Sequence, residues 1–552
     1  MCAKRTAESI MTQLLEQRGI EDGEGFLHPD FTRDVHSAAL LPDALLAAER
    51  IVLAKEKGER IVVFGDYDAD GIPATACMLR VLRHLGFKDV HGVIPKRSDG
   101  YGLTEGSVAK ILALKPGLVI TLDNGTVSPK EVAELNAAGC EVIIIDHHEP
   151  DAERVPAAFA LVNPKREGSE YPFKELCAAA LTWKVCWLVA EKLGVDTAFL
   201  KWELDLVALA TIADMVPLVG ENRALAHFGM LVMRKSHNRG LQALAQAAGV
   251  SLATLSAGQV GFQLGPRINA PSRMHSEEVN GRNIPLAVLV AEEGDEVLLG
   301  WAQYMSQHNQ ARQSLLDLTV QEALLQVEVG QTERHALVVY APHWSSGVIG
   351  LVASRLLEKY ARPVVVLAKE GDEIKGSVRS VDSIHAVSLM ASGASYLARY
   401  GGHTKAGGLT LSGEAAVEEF QTTLWEWSAE QGVSLEELQA SSRKKADMPL
   451  ELGEIDLVLA KELELLEPFG IGFPGPVFEV SGMVRKLRTM GATGQHLGGV
   501  LEDFSGASKK FVAFNTSQPD LEDGDTVKVL AQVSAEVWQG SEYVQLRVVR
   551  FV

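Results

Sequence analysis

Three aspartates follow a run of apolar residues in the stretch IVVFGDYDADG, which spans residues 61–71. Asp66, Asp68 and Asp70 are spaced two residues apart, and carboxylates held this close repel one another. A single aspartate at the end of a strand is most often a helix cap or a turn residue. Three of them together are better explained by cation binding, because a bound cation neutralises such a cluster.

Further acids and two histidines follow other apolar runs. Asp123 ends the run LVITLD, and Asp146, His147 and His148 end the run VIIIDHH. Asp214 ends the longer run LVALATIAD. Because the carboxyl ends of parallel strands meet at one edge of an open sheet, we expect these side chains to converge there.

This mixture of carboxylate oxygens and imidazole nitrogens suits Mn²⁺ or Mg²⁺ better than a thiolate-rich zinc site. Two such ions roughly 3.5–4 Å apart can hold the attacking and leaving oxygens of a phosphoryl displacement. One carboxylate is expected to bridge the ions, and either Asp123 or Asp68 can serve. No GxSxG motif or comparable Ser/His/Asp order offers a rival nucleophile. The residues therefore indicate a two-metal phosphoester hydrolase.

The elements that must position these residues are short β-rich runs that alternate with helical stretches over 46–220, which predicts a parallel α/β sheet. The runs are RIVVFGD, DVHGVIP, GLVITLD and EVIIIDHH. A mostly helical connector is predicted over 221–330 and ends in a long helix. A second α/β unit is predicted over 331–435, from HALVVYA to the glycine-rich GGHTKAGGLTL.

The two ends of the chain are predicted to differ from this pattern. Residues 1–45 are predicted to form a helix and a connector. Residues 445–552 contain about five alternating strands, which favours a small barrel of the OB type. The polar segment ASSRKKADMPLELG separates this barrel from the second α/β unit. The predicted fold class is therefore α/β, with two α/β domains joined by a long helix and a C-terminal OB-like β-barrel.

The bulk properties are those of an ordinary folded protein with several domains. The 552 residues are 47% apolar and 22% charged, with a formal net charge of -20. That charge excludes a uniformly basic coat for nucleic acid but not a local binding surface. The five cysteines form no CxxC pair, which indicates a reducing compartment. The N-terminus has no signal-peptide pattern and no apolar run reaches about 18 residues, so we expect a cytoplasmic protein with no membrane segment.

Four motifs occur in the order GDYDADG, LDNG, DHH and ATIADMVPL, and they resemble the four motifs of the DHH phosphoesterases. Segments such as IPKRSDGYGL, GPRINAPSRM, GSVRS and GGHTKAGG make the chain similar to the single-stranded-DNA-specific exonucleases of that superfamily. The resemblance implies a DHH catalytic domain at 46–220, a DHH-associated substrate-binding domain at 331–435 and a nucleic-acid-binding OB-like domain at 445–552. The chain departs from the family pattern at Pro73, Ser345 and Phe473.

The resemblance also implies roles for the acids and histidines. The residues expected to bind metal and to act in catalysis are Asp66, Asp68, Asp123, His147 and Asp214. Asp70 and Asp146 are expected to lie behind these ligands and to orient them. His148 is expected to be catalytic and to face the scissile phosphate or the attacking water. The implied nucleophile is water rather than a side chain.

A second set of residues is expected to hold DNA. Ser377 and Arg379 in GSVRS lie on one face of an extended segment, where a hydroxyl and a guanidinium can bind one phosphate together. Further phosphate contacts implied by the resemblance are Arg97, Arg267, Arg273, His403 and Lys405. A solvated surface charge is the alternative for each of these residues.

Basic and aromatic residues also occur together in and beside the predicted barrel. Basic clusters lie at Arg443–Lys445, Arg485–Arg488 and Lys509–Lys510. Basic residues beside aromatic ones on an OB-like barrel fit the binding of single strands, and Trp538 is the best candidate for base stacking. A place in the barrel core is the alternative for each aromatic residue.

The expected function is therefore a 5′→3′ exonuclease that hydrolyses single-stranded DNA to mononucleotides with two Mn²⁺ or Mg²⁺ ions, in DNA repair and recombination. A helicase and a single-strand-binding protein are partners that the resemblance implies, and we expect a monomer. One alternative is a DHH phosphodiesterase that acts on short oligoribonucleotides or cyclic dinucleotides, although such relatives have only the two-domain core. The other is a non-catalytic scaffold, which would be expected to have lost metal ligands.

Overall fold

The computed structural model of the chain describes residues 4–442, 445–491, 494–514 and 521–552. Cys2, together with Arg443 and Lys444 of the predicted basic cluster, lies outside the described residues. Three sheets and one short hairpin organise the described part of the chain. Within those residues, no helix has the length and apolar character needed to cross a bilayer.

The first sheet has five strands, β1 (Ile61–Phe64), β2 (Val90–Val93), β3 (Leu118–Leu122), β4 (Glu141–Ile145) and β5 (Ala160–Val162). All neighbouring strands are parallel, in the order β2-β1-β3-β4-β5. Strands β1 and β3 are buried at every position, as expected where helices cover both faces of a sheet. The predicted parallel sheet is thus confirmed, and the three residues of β5 are too few to give a periodic signal.

Nine helices precede or surround this sheet: α1 (Ala7–Gln17), α2 (Gly23–Leu27), α3 (Phe31–Asp34), α4 (Ala44–Lys57), α5 (Gly71–His84), α6 (Glu105–Ala113), α7 (Pro129–Ala137), α8 (Ala178–Lys192) and α9 (Leu204–Ala213). Helix α5 starts directly after the aspartate cluster. Pro73 lies in the first turn of α5, where a missing N–H is tolerated. Helix α9 ends at Ala213, and Asp214 is its C-cap residue.

The connector is helical apart from one hairpin. Its elements are α10 (Gly220–Met233), α11 (Arg239–Ala248), α12 (Ala257–Gln259), α13 (Gly265–Arg273), β6 (Glu278–Val279), β7 (Arg282–Asn283), α14 (Ile284–Val290) and α15 (Asp295–Gly330). Helix α15 has 36 residues and is therefore about 54 Å long. It contacts α11 and α13 of the connector and then α16 (Ser346–Tyr360) of the second α/β unit, so it carries that unit.

The second sheet is mixed. Its strands and remaining helices are β8 (Leu337–Ala341), β9 (Val364–Glu370), β10 (Glu373–Arg379), α17 (Ala386–Ser392), β11 (Leu397–Gly402), β12 (Ala406–Leu411), α18 (Val417–Ala429) and α19 (Leu435–Ser442). The order is β11-β12-β10-β9-β8, with β8 and β9 parallel and the other pairs antiparallel. Strand β10, which carries the predicted Ser377 and Arg379, is thus the central strand of this sheet.

The third sheet closes into a barrel. Its elements are β13 (Met448–Pro449), α20 (Leu457–Glu464), β14 (Phe478–Met490), β15 (His496–Glu502), β16 (Ser508–Ala513), β17 (Thr526–Trp538) and β18 (Ser541–Phe551). The order β14-β15-β16-β18-β17 is closed by pairing of β17 with β14, and β16 is parallel to β18. This five-stranded closed arrangement is that of an OB-fold, as predicted.

The N-terminal helix packs on the barrel rather than on the first sheet. Ile10 and Leu14 of α1 are fully buried in the same core as Phe478 of β14. Arg18 forms a pair of hydrogen bonds with Asp447, at 2.8 and 3.0 Å, across 429 residues of sequence. The two ends of the described chain therefore belong to one structural unit.

A buried arginine joins this unit to the first domain. Arg223 of α10 is only 3% exposed, and its guanidinium donates to the carbonyl of Leu466 at 2.9 Å. The same guanidinium lies 3.8 Å from the ring centroid of Phe26 and 5.2 Å from that of Phe473. Phe473, one of the departures from the family pattern, is therefore part of the junction between the barrel and the catalytic sheet.

Candidate active site

The carboxyl ends of β1, β3 and β4 meet at one edge of the first sheet, and α9 brings Asp214 to the same place. Three groups of potential metal ligands lie there, and the ligand atoms within each group are no more than 4.8 Å apart. The groups are Asp66, Asp68 and Asp123; Asp70, His147 and Asp214; and Asp123, His147 and His148. We call these seven residues the acid–histidine cluster. All five residues expected to bind metal lie in it, and Asp123 belongs to two of the three groups.

The loop after β1 is held in a tight turn by one of its own aspartates. Oδ1 of Asp68 accepts hydrogen bonds from the N–H groups of Asp70, at 2.9 Å, and Gly71, at 3.0 Å. A Cβ atom on Gly71 would come within 2.5 Å of the backbone nitrogen of Asp66, so glycine is required at the start of α5. The DADG sequence therefore folds back on itself and directs its carboxylates toward the sheet edge.

Asp123 has a strained backbone that aims its side chain at the cluster. Its φ angle is 65°, in the left-handed region that few residues other than glycine adopt. Its N–H donates to the carbonyl of Ile145 at 3.0 Å, which ties the end of β3 to β4. Oδ1 of Asp123 lies 3.1 Å from Nε2 of His147, yet it is buried without a hydrogen-bond partner. An oxygen in this state is suited to bind a cation.

Asp146 is saturated by hydrogen bonds and cannot serve as a free ligand. Its Oδ1 accepts from the N–H groups of His147, at 2.8 Å, and His148, at 3.2 Å, and lies 2.8 Å from Nδ1 of the His148 ring. Its Oδ2 accepts from the N–H of Thr126 at 3.0 Å. Burial acts to raise the pKa of Asp146, but the hydrogen bond and charge of His148 outweigh it and hold the pKa below its ordinary value.

Asp70 is anchored at the start of α8. Its two oxygens accept from the N–H groups of Ala178, at 2.7 Å, and Ala179, at 2.8 Å, and Oδ2 also lies 3.6 Å from Nε2 of His147. Burial, followed by repulsion from Asp68, raises the pKa of Asp70 to about 7. Asp70 thus joins the N-terminus of α8 to the acid–histidine cluster. Its carboxylate also lies beside the potential metal ligands His147 and Asp214.

The other carboxylates of the cluster repel one another strongly. Burial, followed by the charges of neighbouring aspartates, raises the pKa values of Asp66, Asp123 and Asp214 well above the ordinary value. Oδ1 of Asp66 is buried without a hydrogen-bond partner, like that of Asp123. Such a cluster is stabilised by cations, and hard oxygen ligands favour Mn²⁺ or Mg²⁺.

The two histidines have opposite electrostatic surroundings. Burial, followed by the charge of His148, lowers the pKa of His147 to about 4, so its imidazole is neutral and can bind a metal. Burial also acts to lower the pKa of His148, but the hydrogen bond to Asp146 outweighs it and raises the pKa above its ordinary value. The donor set of carboxylates and one neutral imidazole therefore fits a divalent-metal site.

Tyr101 contacts two residues of the acid–histidine cluster, although no motif in the sequence predicted a role for it. Its hydroxyl donates to the backbone carbonyl of Asp123 at 3.0 Å and lies 3.0 Å from both ring nitrogens of His148. The signal available in the sequence was its place in RSDGYGL, where glycines on both sides of an aromatic residue indicate a shaped loop.

Two arginines approach the cluster from the first domain and the connector. The guanidinium of Arg97 lies 4.3 Å from the ring centroid of Tyr67, and its Nε is buried without a hydrogen-bond partner. Arg273, at the end of α13, donates to the carbonyl of Gly347 in α16 at 3.2 Å. Burial, followed by the charge of Arg97, lowers the pKa of Arg273 to about 9.

Ser377 and Arg379 lie against α16, the helix that Arg273 also contacts, from the second sheet. Nη1 of Arg379 lies 3.2 Å from Oγ of Ser377. A Cβ atom on Gly350 would come within 3.1 Å of Ser377 Oγ and 3.3 Å of Arg379 Nη2, so glycine lets α16 approach both side chains. Gly350 is one helical turn from Gly347, the partner of Arg273. We call Arg97, Arg273 and Arg379 the arginine cluster.

The remaining predicted DNA contacts lie on α13, on the second sheet and on the barrel. Nε of Arg267 donates to Ser306 of α15 at 2.9 Å, and Nη1 donates to the carbonyl of Gln263, so this side chain fastens α13 to its neighbours. His403 and Lys405 are exposed in the turn between β11 and β12, and Nζ of Lys405 pairs with Asp382 at 2.8 Å. Trp538 is 67% exposed at the end of β17, opposite Ser541.

The parallel sheet, the acid–histidine cluster at its edge, and Arg97 and Arg273 close enough to interact with its charges define a phosphoesterase of the DHH class. The family model described as DHH family, N-terminal domain, matches residues 60–211, the DHHA1 domain matches residues 333–430 and the RecJ OB domain matches residues 446–550. Particular relatives narrow this class further.

The single-stranded-DNA-specific exonuclease RecJ of Haemophilus influenzae is 32% identical, over 86% of this chain and 84% of the relative. RecJ of Bacillus subtilis is 31% identical, over 98% of this chain and 67% of the relative. The crystal structure of RecJ from Thermus thermophilus in complex with Mn²⁺ superposes on this chain with a TM-score of 0.82 and is 30% identical in sequence. The match covers 98% of this chain and 75% of the Thermus chain. The chain belongs to the RecJ family of single-stranded-DNA-specific exonucleases.

Proposed function

We propose that this protein is an exonuclease that hydrolyses single-stranded DNA with Mn²⁺ or Mg²⁺ as its cofactor. The observation that carries the proposal is the acid–histidine cluster at the sheet edge, with Arg97 and Arg273 close enough to interact with its charges. The names of the relatives, and the Mn²⁺ in the similar Thermus structure, support the same conclusion.

The metal ligands we propose are Asp66, Asp68, Asp123, His147 and Asp214. Two of the three donor groups share no residue, which supports two ions rather than one. They are Asp66, Asp68 and Asp123, and Asp70, His147 and Asp214. When bound, the ions supply an activated water nucleophile and neutralise charge on the reacting phosphate. Asp70 and Asp146 would then orient these ligands through the backbone and ring hydrogen bonds described above.

The arginine cluster is suited to hold phosphates. Among the described residues, the contacts of its three arginines are with neutral groups, namely the Tyr67 ring, the hydroxyl of Ser377 and the backbone carbonyls of Gly347 and Val378. The chain nevertheless carries 20 more acidic than basic residues. Burial lowers the pKa values of Arg273 and Arg379, so both guanidinium groups would gain from an anionic partner. We propose that Ser377 and Arg379 hold one phosphate together and that Arg97 and Arg273 hold its neighbours.

A pocket that binds a terminal 5′ phosphate would set the direction of cleavage. We propose that the arginine cluster and Ser377 form such a pocket, which would give 5′→3′ polarity and the release of mononucleotides. His148, held by Asp146 at one ring nitrogen, would face the scissile phosphate.

The barrel would bind the strand that leads into the cleft. Trp538 offers a solvent-exposed indole, and Nζ of Lys510 lies 4.5 Å from the ring centroid of Tyr543 on neighbouring strands. Aromatic and basic groups on an OB-fold suit bases and backbone respectively. His403 and Lys405 would provide weaker contacts from the second sheet.

The cellular role that fits this activity is strand resection in DNA repair and recombination. A helicase and a single-strand-binding protein would supply and cover the single strand. We further propose that the enzyme acts as a monomer and works in the cytoplasm, where its DNA substrate lies.

One digestion experiment tests the proposal. Oligonucleotides labelled at the 5′ or the 3′ end are offered as single strands and as duplexes, beside a short RNA and a cyclic dinucleotide, with Mn²⁺ or Mg²⁺. We expect labelled mononucleotides at once from the 5′ label and only late from the 3′ label, and little product from duplex.

Variants of two aspartates complete this experiment. Asp123→Ala should lose at least about a thousandfold in rate, because a metal ligand contributes several kcal/mol. Asp317→Asn, on the exposed side of α15, is the matched control and should keep full activity. Hydrolysis of the RNA or cyclic dinucleotide alone would favour the alternative phosphodiesterase, and an active Asp123→Ala enzyme would exclude the proposed site.

A further inference from the structure

Tyr101 bridges two loops of the acid–histidine cluster through a single hydroxyl group. The hydroxyl donates to the backbone carbonyl of Asp123 and also lies in hydrogen-bond range of the His148 ring, both at 3.0 Å. The tyrosine ring meets the histidine ring edge to face, with centroids 5.4 Å apart and planes at 63°. The end of β3 and the end of β4 are thus fastened together by a residue from neither strand.

His148 is contacted from two loops in this arrangement. Asp146 lies 2.8 Å from Nδ1, and the Tyr101 hydroxyl lies 3.0 Å from both ring nitrogens, against the ring edge between them. An imidazole with one hydrogen bond can still rotate about its side-chain torsions, whereas two contacts from different loops define one orientation.

The loop that carries Tyr101 is fixed at its other end by Arg97, one member of the arginine cluster. Arg97 begins the short 3₁₀ turn Arg97–Asp99 and stacks on Tyr67, between Asp66 and Asp68 in sequence. The loop therefore contacts the cluster at two points, through Arg97 at β1 and through Tyr101 at β3 and β4.

We infer that Tyr101 is a positioning residue that holds the His148 ring in the orientation used for hydrolysis. This inference rests on the proposed function, because it assigns His148 to the reacting phosphate. Packing alone does not account for Tyr101, since 50% of its surface is exposed. The exposed half of the ring is placed to contact substrate, which gives the hydroxyl and the ring separable tasks.

Two substitutions separate these tasks in steady-state kinetics on single-stranded DNA. Tyr101→Phe keeps the ring and removes the hydroxyl, so kcat should fall about 5–10-fold, the size expected for one hydrogen bond, with KM unchanged. Tyr101→Ala removes both, so KM should rise in addition. A Tyr101→Phe enzyme with full kcat, or with only a raised KM, would overturn the inference.

A double-mutant cycle tests whether Tyr101 acts through His148. In a His148→Ala background the further change Tyr101→Phe should have no effect on kcat, because the positioned ring is already absent. An equal loss in both backgrounds would show that the hydroxyl acts independently of His148. Tyr340→Phe is the matched control, since the partly buried Tyr340 also donates a hydroxyl hydrogen bond, to Glu414 at 2.7 Å, on the second domain.

A spectroscopic measurement keeps the inference testable even if the enzyme digests no DNA. In protein with ¹⁵N-labelled histidine, the ring signals of His148 are assigned as those absent from His148→Ala. Tyr101→Phe should shift these signals, and Tyr340→Phe should not. Unshifted His148 signals in Tyr101→Phe would refute the positioning role, whereas an inactive wild-type enzyme with the expected shift would refute only the proposed function.

Discussion

Nε2 of His147 lies 3.1 Å from Oδ1 of Asp123, although the two residues follow different strands. The parallel register pairs Leu122 of β3 with Ile145 of β4, so the residues after these positions leave the sheet side by side. Because His147 is neutral, it does not offset the charge of the surrounding carboxylates. A bound cation would offset that charge.

The protein without divalent ions should lose stability as the pH rises. Burial and neighbouring charge raise the pKa of Asp70 from 3.8 to about 7, and those of Asp66, Asp123 and Asp214 are raised well above the same reference. The folded state then binds protons that the unfolded state releases, so this stability is complete below pH 3.8 and is lost as the pH rises through about 7.

Urea unfolding in the presence of a chelator, between pH about 5 and about 8, measures how the free energy of unfolding changes with pH. Asp70→Asn should reduce this pH dependence, because the amide does not titrate. Added Mn²⁺ should raise the melting temperature, and more so at higher pH, because metal binding requires deprotonated ligands. A chelated protein that becomes more stable with rising pH would contradict the electrostatic account of the site.

Replacing Arg379 by lysine should weaken the grip on a terminal phosphate. Lysine keeps the charge but loses the planar pair of donors beside Ser377, so KM for 5′-phosphorylated single strands should rise about 10–100-fold. The measurement compares KM for substrates with and without the 5′ phosphate. The difference between these two KM values should be smaller in Arg379→Lys than in wild type. Arg355→Lys, exposed on α16, is the control. Equal kinetics of Arg379→Lys and wild type would remove Arg379 from the phosphate site.

Trp538→Ala should weaken the binding of long single strands. One stacked base contributes about 1–3 kcal/mol, so the dissociation constant should rise at least about fivefold in a fluorescence titration. Stability should not change, because the indole is 67% exposed. Val537→Ala, at a neighbouring position that is 66% exposed, serves as the control. If both variants bind DNA like wild type, the strand does not stack on this hairpin.

Phe473→Asn should loosen the junction between barrel and catalytic sheet. Phe473 is 5% exposed and packs against Phe26, with ring centroids 4.8 Å apart, and against the buried Arg223. Loss of this ring should lower the free energy of unfolding by about 3 kcal/mol and speed proteolytic release of the barrel. Phe504→Asn, at a 97% exposed position, should do neither. Equal protease resistance of the two variants would argue against the junction.

The sequence by itself determined the fold class and the chemical character of the site. The acids of GDYDADG, LDNG and DHH follow apolar runs, and parallel strands can only deliver such residues to one edge. The alternation in the last hundred or so residues likewise predicted the barrel, because period-two patterns report which face of a strand is buried.

Only the tertiary structure decided which residues meet across long stretches of sequence. The donors to Asp70 come from α8, 108 residues later, and α1 packs on a barrel more than 400 residues away. Arg267, which stays a predicted phosphate contact, hydrogen-bonds Ser306, and Tyr101 reaches His148. Periodicity and spacing report local burial but not the partner that covers a side chain, and hydrogen-bond partners depend on packing between elements that no local pattern records.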